Sequence, residues 1–365
     1  MDILKHFHFE DVGSRLEDLE TPVPVIDIDT VARNLTRWQA RCDKVGFANR
    51  PHIKTHKLVA LAKAQLELGA KGITVQKLGE AEVMADAGIG DLLLTFNVVG
   101  RHKLERLAAL AKRTDIKVVA DNLEMLEGLA HAGRSAGRDI TVLVECDTGA
   151  ARNGVQAPEA AVQLAQNIGA TPGIVFGGLM TLPKDGGRGP MAAFLEEAMS
   201  RLSRAGLEPD SISTGGTPDM WKDDGLAHIT EYRAGTYIYN GRAHVACGAA
   251  AHADCALTVL ATVVSTPAIN RAMIDAGSKA LTSDLFGMVG FGEVRSLGGA
   301  LVYALSEEHG FLDISQASRK PKVGDLVRVT PNHVCPVTNL FDKVVFVRGE
   351  EVLGAVKVDA RGTVQ

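Results

Sequence analysis

The sequence predicts an α/β protein: a (β/α)8 TIM-like barrel followed by a C-terminal all-β domain. Three observations carry that expectation. From residue 21 to about 240, short β-branched or aliphatic runs alternate with longer Ala- and Leu-rich amphipathic runs. Such alternation implies parallel strands joined by helical crossovers. Counted from residue 50 the strand candidates number eight, which is the number that closes a barrel. Beyond residue 245 the pattern becomes "LTVLATVVS", "DLVRVTP" and "KVVFVRG", punctuated by Gly and Pro with few helical stretches.

Taken in order, "PVPVIDI" precedes the barrel, and the barrel strands are "RPHIK" (50–54), "GITVQ" (72–76), "DLLLTF" (91–96), "IKVVA" (116–120), "TVLVECD" (141–147), "IVFGGLMT" (174–181), "DSISTG" (210–215) and "ITEYRAG" (229–235). Runs such as "KLVALAKAQLELGA" and "HKLERLAALAKR" supply the helices between them. An open doubly wound sheet is the alternative reading of the same alternation. No internal repeat or low-complexity linker interrupts it. Residues 1–245 are thus expected to form the barrel domain, and 246–365 the β domain. The isolated strand at about 21–29 is free to return and pair with the second domain.

Composition narrows the classes of function. Among 365 residues, 46% are apolar and 23% charged, with a formal charge of −5. Nothing in that balance favours nucleic acid or anionic lipid, and no stretch approaches the roughly 20 apolar residues of a membrane helix. The N-terminal "MDILKHFHFEDVGSRLEDLE" lacks the apolar core of a secretory signal. Five scattered cysteines without CxxC spacing suit a reducing cytoplasm better than a disulfide framework.

Barrel chemistry collects at the C-terminal ends of the strands. Lys54 ends the first. Asp147 ends the fifth, followed by "TGAARNG" with Arg152, and "TGGTP" (214–218) follows the seventh. Tyr237 and Tyr239 follow the eighth. A Gly-Gly-Thr turn lets backbone N–H groups approach phosphate oxygens and adds the Thr217 hydroxyl. Lys54, beside the other cations of "RPHIKTHK", is placed to act as a nucleophile toward a carbonyl. An amine facing a phosphate socket is the pattern of a pyridoxal phosphate site; a solvated basic loop is the plainer reading of those eight residues alone.

The second candidate is "VTPNHVCPVTNLFD" (329–342). In an extended segment His333 and Cys335, two apart, share a face. Imidazole with thiolate suits zinc better than magnesium or calcium, and two ligands leave open positions for water or substrate. "SEEHG" (306–310) offers a further His and two carboxylates, or simply a polar hairpin turn. Trp221 and Arg242 are candidates for the substrate pocket, against plainer readings as a packed indole and a solvated guanidinium.

Together "TPVPVIDID", "RPHIKTHK", "GITVQKLGEAEVMADAGI", "DTGAARNGV", "STGGTPDMW", "EYRAGTYIYN", "DAGSKALTSD", "SEEHG" and "PNHVCPVTNLFD" resemble the fold-type III pyridoxal phosphate enzymes. More closely the chain resembles their D-serine dehydratase/D-threonine aldolase branch, relatives of alanine racemase. The resemblance runs in order from about residue 20 to 360. It implies a barrel of the alanine racemase N-terminal type, a C-terminal β domain and a homodimer. It further implies that Lys54 forms the Schiff base with pyridoxal 5'-phosphate, that Gly215, Gly216, Thr217 and Tyr237 hold the cofactor phosphate, that Arg152 lies beside the ring, and that Gln76 lines the pocket. His333 and Cys335 would bind a divalent metal, zinc favoured over manganese or magnesium. One departure is Ala151, where relatives more often place methionine or glycine.

The implied reaction is lysis of a small D-3-hydroxy amino acid. A metal near Cβ assists departure of the hydroxyl, giving a 2-oxo acid and ammonia, or favours the alkoxide that starts retro-aldol cleavage to glycine and an aldehyde. Cys335 tilts the reading toward the dehydratase, because the aldolases more often present His-x-Asp. A racemase would need a second base and no metal. A non-catalytic pyridoxal phosphate carrier of this fold would lack the β domain.

Overall fold

A computed structural model describes residues 3–184 and 187–365. The chain forms two compact units that interleave along the sequence, where the sequence alone suggests one division at 245. One unit takes the chain up to Arg37, then Thr55–Leu61 and Thr236–Gly362; the other takes Trp38–Lys54, Ala62–Gly235 and Thr363–Gln365.

The second of these is the barrel. Its eight parallel strands are Ala48–Asn49, Ile73–Val75, Asp91–Leu94, Asp115–Ala120, Ile140–Cys146, Ile174–Thr181, Ser211–Thr214 and Glu231–Tyr232. Ala48–Asn49 pairs with Glu231–Tyr232, so the last strand returns to the first. Between the first and second strands the ladder shrinks to a single bridge, His52 to Thr74, with Thr74 N–H donating to Pro51 O at 2.8 Å. The strands carry near-continuous apolar runs because the crossover helices bury their outer faces as well. Leu93, Val119, Leu143 and Met180, from four neighbouring strands, pack as one buried cluster. Arg101–Ala111 shows the helical counterpart, burying Leu107, Ala108, Leu110 and Ala111 at helical spacing.

Two local expectations are corrected here. "RPHIK" is not a strand, because the ladder stops at Asn49, Pro51 has no N–H to donate, and Ile53–Thr55 forms a 3-10 turn. His52 and His56 therefore do not share a face of an extended strand with Lys54. Of the two roles open to His56 and Lys57, supporting or surface, burial selects the first. His56 is wholly buried with Nδ1 accepting from Leu58 N–H, and Lys57, at φ 55°, is 5% exposed and donates to Ala360 O.

In the other unit, Leu257–Ala268, Arg271–Ile274, Gly310–Asp313, Ala300–Leu305, Gly292–Val294 and Leu326–Pro331 pair in that order, and the last pairs back to the first. Closure of this antiparallel barrel removes its edges. Val23–Asp27 extends the sheet, antiparallel to Leu257–Ala268 and parallel to Lys343–Arg348, which in turn pairs with Glu351–Lys357. Leu16, Val25, Leu260, Val345, Val347, Val352 and Ala355 form the core beneath that extension. "SEEHG" is the turn of the hairpin between Ala300–Leu305 and Gly310–Asp313, closed by Ser306 N–H to His309 O at 2.9 Å. Among the described residues no helix is long and apolar enough to cross a membrane, and the cysteines are free thiols.

Candidate active site

In the barrel unit, the geometry around Lys54 begins at Arg50. Its guanidinium is fully buried, donating to Glu231 Oε2 at 2.8 Å and to Asp91 Oδ1 at 2.7 Å. The barrel closes so tightly here that a Cβ on Gly72 would lie 2.4 Å from Arg50 Nη1. With Arg50 fixed, the following turn delivers His52 and Lys54 to Gln76, the residue just past Ile73–Val75. Gln76 Oε1 lies 3.1 Å from His52 Nε2 and 3.5 Å from Lys54 Nζ. Gln76 is itself held, donating Nε2–H to Thr95 O at 3.0 Å and its backbone N–H to Glu80 Oε2 at 2.7 Å. The structure thus brings two of the expected site residues together and adds His52.

Gly215, Gly216 and Thr217 follow Ser211–Thr214. Gly215 stands at φ +102°, and a Cβ there would fall 2.3 Å from the Tyr232 ring, so glycine is required by backbone and packing alike. A Cβ on Gly216 would meet nothing nearer than 3.6 Å, so internal packing does not demand glycine there and the position leaves room for a ligand. Thr217 opens the 3-10 turn Thr217–Asp219, and Tyr232 OH donates to Gly216 O at 3.0 Å. An amine beside a half-buried amide, and a glycine–threonine turn with an open position, fit pyridoxal phosphate in donor chemistry.

Arg152 lies in the loop after Ile140–Cys146. Asp147 shapes that loop, accepting from Gly149 N–H at 2.9 Å and Ala151 N–H at 3.1 Å. Ala151 takes φ +52°, a left-handed conformation that glycine adopts more readily, which gives its departure from the family pattern a backbone meaning. Arg152 Nη2 is 3.8 Å from Glu145 Oε1, and Asn153 donates to the same carboxylate at 3.1 Å. Burial raises the Glu145 pKa, opposed by Arg152 and the buried Arg233. Trp221 packs edge-on against Trp38 at 5.8 Å, so the packed-indole reading holds.

The β unit holds the remaining three expected residues, Tyr237, His333 and Cys335. Tyr237 is buried on the turn Thr236–Ile238. His333 and Cys335 do not lie on an extended segment: the strand ends at Pro331, His333 caps the helix Val334–Leu340, and Cys335 sits in its first turn. The imidazole nevertheless acts on the thiol, helping to hold the Cys335 pKa down. Cys335 Sγ is 3.1 Å from Thr55 Oγ1 and 3.5 Å from Thr236 Oγ1. Burial alone raises this thiol, but hydrogen bonds from His333, Thr55 and Thr236 outweigh it and bring the pKa down to about 7. A thiol so poised becomes a metal-binding thiolate readily. No cluster of three His, Cys, Asp or Glu side chains among the described residues is arranged to hold a metal.

Asp284 was not singled out by sequence reasoning. Its Oδ2 lies 2.7 Å from His333 Nδ1, and Phe286 stacks on the imidazole at 4.2 Å between ring centroids. No spacing rule announces a contact across 49 residues of sequence. Arg242 is neither solvated nor free, bonding Asn332 Oδ1 at 2.6 Å and lying 3.5 Å from Glu293.

His244 is 2% exposed with Nδ1 unpartnered, and burial, then the His333 charge, hold its pKa at about 4 instead of 6.5. Its folded pKa is depressed, so the unfolded chain binds the proton first as pH falls. The resulting stability is complete above pH 6.5 and is lost as pH falls from 6.5 to 4. That loss amounts to about 3 kcal/mol. Urea midpoints measured across this range should fall less steeply in His244→Leu than in the natural chain; parallel profiles would show that His244 does not titrate this way.

A parallel barrel with a lysine just past its first strand, joined in sequence to an antiparallel β-barrel, defines the alanine racemase-like class. Residues 26–243 match the family described as "Alanine racemase, N-terminal domain", and residues 256–347 match "Putative serine dehydratase domain". The chain belongs to this family of fold-type III pyridoxal phosphate enzymes, in the branch that holds D-threonine aldolase and D-3-hydroxyaspartate dehydratase. It is 35% identical to D-threonine aldolase of Arthrobacter sp. over 96% of this chain and 95% of that one. It is 34% identical to D-threo-3-hydroxyaspartate dehydratase of Delftia sp. strain HT23, over 87% and 91%. The crystal structure of D-threonine aldolase from Filomicrobium marinum superposes with a TM-score of 0.91 at 32% identity, covering 98% of this chain and all of that one. The Delftia enzyme superposes at 0.84 and 31% identity, over 94% and 99%. Its solved forms include a His→Ala mutant and, two positions along, a Cys→Ala mutant in the metal-free form.

Proposed function

We propose that this chain is a lyase of D-3-hydroxy amino acids that depends on pyridoxal phosphate and zinc and acts by β-elimination to a 2-oxo acid and ammonia. The observation that carries the reading is the donor set at the start of the helix Val334–Leu340: His333, held by Asp284, and Cys335, whose thiol is drawn toward the thiolate, are soft ligands suited to zinc over magnesium or manganese. The Delftia dehydratase supports it, since its metal-free form carries a Cys→Ala change two positions from a site probed by His→Ala.

When bound, the cofactor withdraws electrons from Cα and the metal polarises the β-hydroxyl. The protein's part follows from its own groups. Lys54 Nζ would hold the cofactor and then move the proton at Cα, with Gln76 Oε1 orienting that amine. The backbone N–H groups at Gly216 and Thr217 and the Thr217 hydroxyl would bind the phosphate, with Gly215 setting the turn, and the family resemblance gives Tyr237 the same task. Arg152, which lies 3.8 Å from Glu145, would stand beside the ring. His333 and Cys335 hold the metal and leave its other positions open.

A second reading, retro-aldol cleavage, is favoured by the Filomicrobium aldolase, which superposes better than the dehydratase. Both readings predict that the chain loaded with cofactor and zinc consumes D-threonine and not L-threonine, and that a chelator stops it until zinc is restored. Consumption unaffected by thorough metal removal would contradict the role given to His333 and Cys335.

A further inference from the structure

We infer that the segment Thr282–Phe286 is a clamp that sets the pose and tautomer of His333, with Asp284 as the positioning residue; the inference rests on the metal reading above. Asp284 uses both carboxylate oxygens. Oδ2 meets His333 Nδ1 at 2.7 Å, and Oδ1 accepts from Phe286 N–H at 2.9 Å. That second bond draws the chain back so that the Phe286 ring lies over the imidazole, 4.2 Å away and inclined by 20°. The ring is thus held along one edge and against one face.

The backbone indicates that this arrangement is selected rather than incidental. Thr282 and Phe286 both adopt left-handed conformations, φ 66° and 47°, which are unfavourable for a β-branched and for an aromatic residue. Strain of this kind persists only where surrounding contacts over-determine it, and it gathers at functional sites. Asp284 N–H donating to Thr282 Oγ1 at 3.2 Å supplies one such contact. Phe286 is also 45% exposed, so burial of its ring does not account for the conformation.

The chemical consequence lies at the far edge of the imidazole. A carboxylate on Nδ1 keeps the proton there and leaves Nε2 as the lone-pair nitrogen, the form a metal requires. Carboxylates in this position orient metal-binding histidines and raise their basicity, and their loss costs 10–100-fold in metal affinity.

The test titrates zinc into chain that retains pyridoxal phosphate and has been stripped of metal, using competition with a chromophoric chelator. Asp284→Ala is expected to weaken zinc about 10–100-fold. Asp284→Asn, which can still accept from Nδ1–H, should recover most of that loss. His333→Ala should abolish specific binding, and adding Asp284→Ala to it should cost nothing more. Cobalt substitution gives a second readout, because the thiolate charge-transfer band of Cys335 reports the first ligand while the d–d bands report altered geometry. If His333→Ala weakens zinc but Asp284→Ala does not, the clamp is overturned alone. If His333→Ala leaves zinc affinity unchanged, the metal reading falls and the clamp with it.

Discussion

Lys54→Ala should lose the visible absorbance of bound pyridoxal phosphate, release the cofactor on gel filtration, and lower turnover of D-threonine by at least about 10³-fold. Two roles disappear at once in this variant: the covalent anchor and the base that moves the Cα proton, each of which contributes orders of magnitude to rate. Gln76→Ala separates them in part. Gln76 Oε1 approaches Lys54 Nζ at 3.5 Å and His52 Nε2 at 3.1 Å, so its loss should leave the cofactor attached while lowering kcat more than it raises KM. Spectra and single-turnover rates on the two variants check this. A Lys54→Ala chain that keeps a borohydride-reducible chromophore would show that another lysine carries the cofactor.

The largest effect on stability should come from Arg50→Met. Arg50 has no exposed side-chain surface and Glu231 only 3%, so removing the guanidinium strands a carboxylate inside the barrel. Burial by itself raises the Glu231 pKa, and it is Arg50, by charge and hydrogen bond, that holds it below the usual carboxylate range. Breaking one side of such a pair costs about 3–5 kcal/mol, whereas exchanging both partners for apolar residues is often close to neutral. Arg50→Met should therefore lower the urea midpoint sharply, and Arg50→Met with Glu231→Leu should regain most of the loss. Asp91 remains paired in both variants, since Lys117 Nζ reaches its Oδ1 at 2.9 Å. Failure of the double variant to recover would mean that Arg50 acts through packing rather than through charge.

The sequence is most legible where chemistry depends on local order. Alternating strand and helix patterns indicate the barrel, because parallel strands buried on both faces are apolar throughout and their crossovers are amphipathic. The lysine turn, the glycine–threonine turn and the His-x-Cys pair are visible because each is a contiguous motif. Backbone detail was less accessible. Nothing in "RPHIK" shows that its ladder ends at Asn49, since the limit comes from Pro51 and from the burial of Arg50 against Asp91 and Glu231, both distant in sequence. His333 and Cys335 are placed by a different device from the one alternation implies, the start of a helix rather than a strand. Asp284 and Phe286 were hidden because their contacts with His333 depend on where two separate loops arrive, and the left-handed backbone at Thr282 and Phe286 is not written in those residue types. The interleaving of the two units follows the same logic. Val23–Asp27 is committed to its sheet by pairing with Leu257–Ala268 and Lys343–Arg348, partners more than 200 residues away.

The central claim is that the thiolate–imidazole pair directs the reaction toward elimination. The most direct measurement is product analysis of D-threonine treated with the chain loaded with pyridoxal phosphate and zinc. Formation of 2-oxobutanoate and ammonia in equal amounts is the predicted result. Formation of glycine and acetaldehyde would contradict it and make the chain an aldolase in which Cys335 binds metal without selecting the bond that breaks.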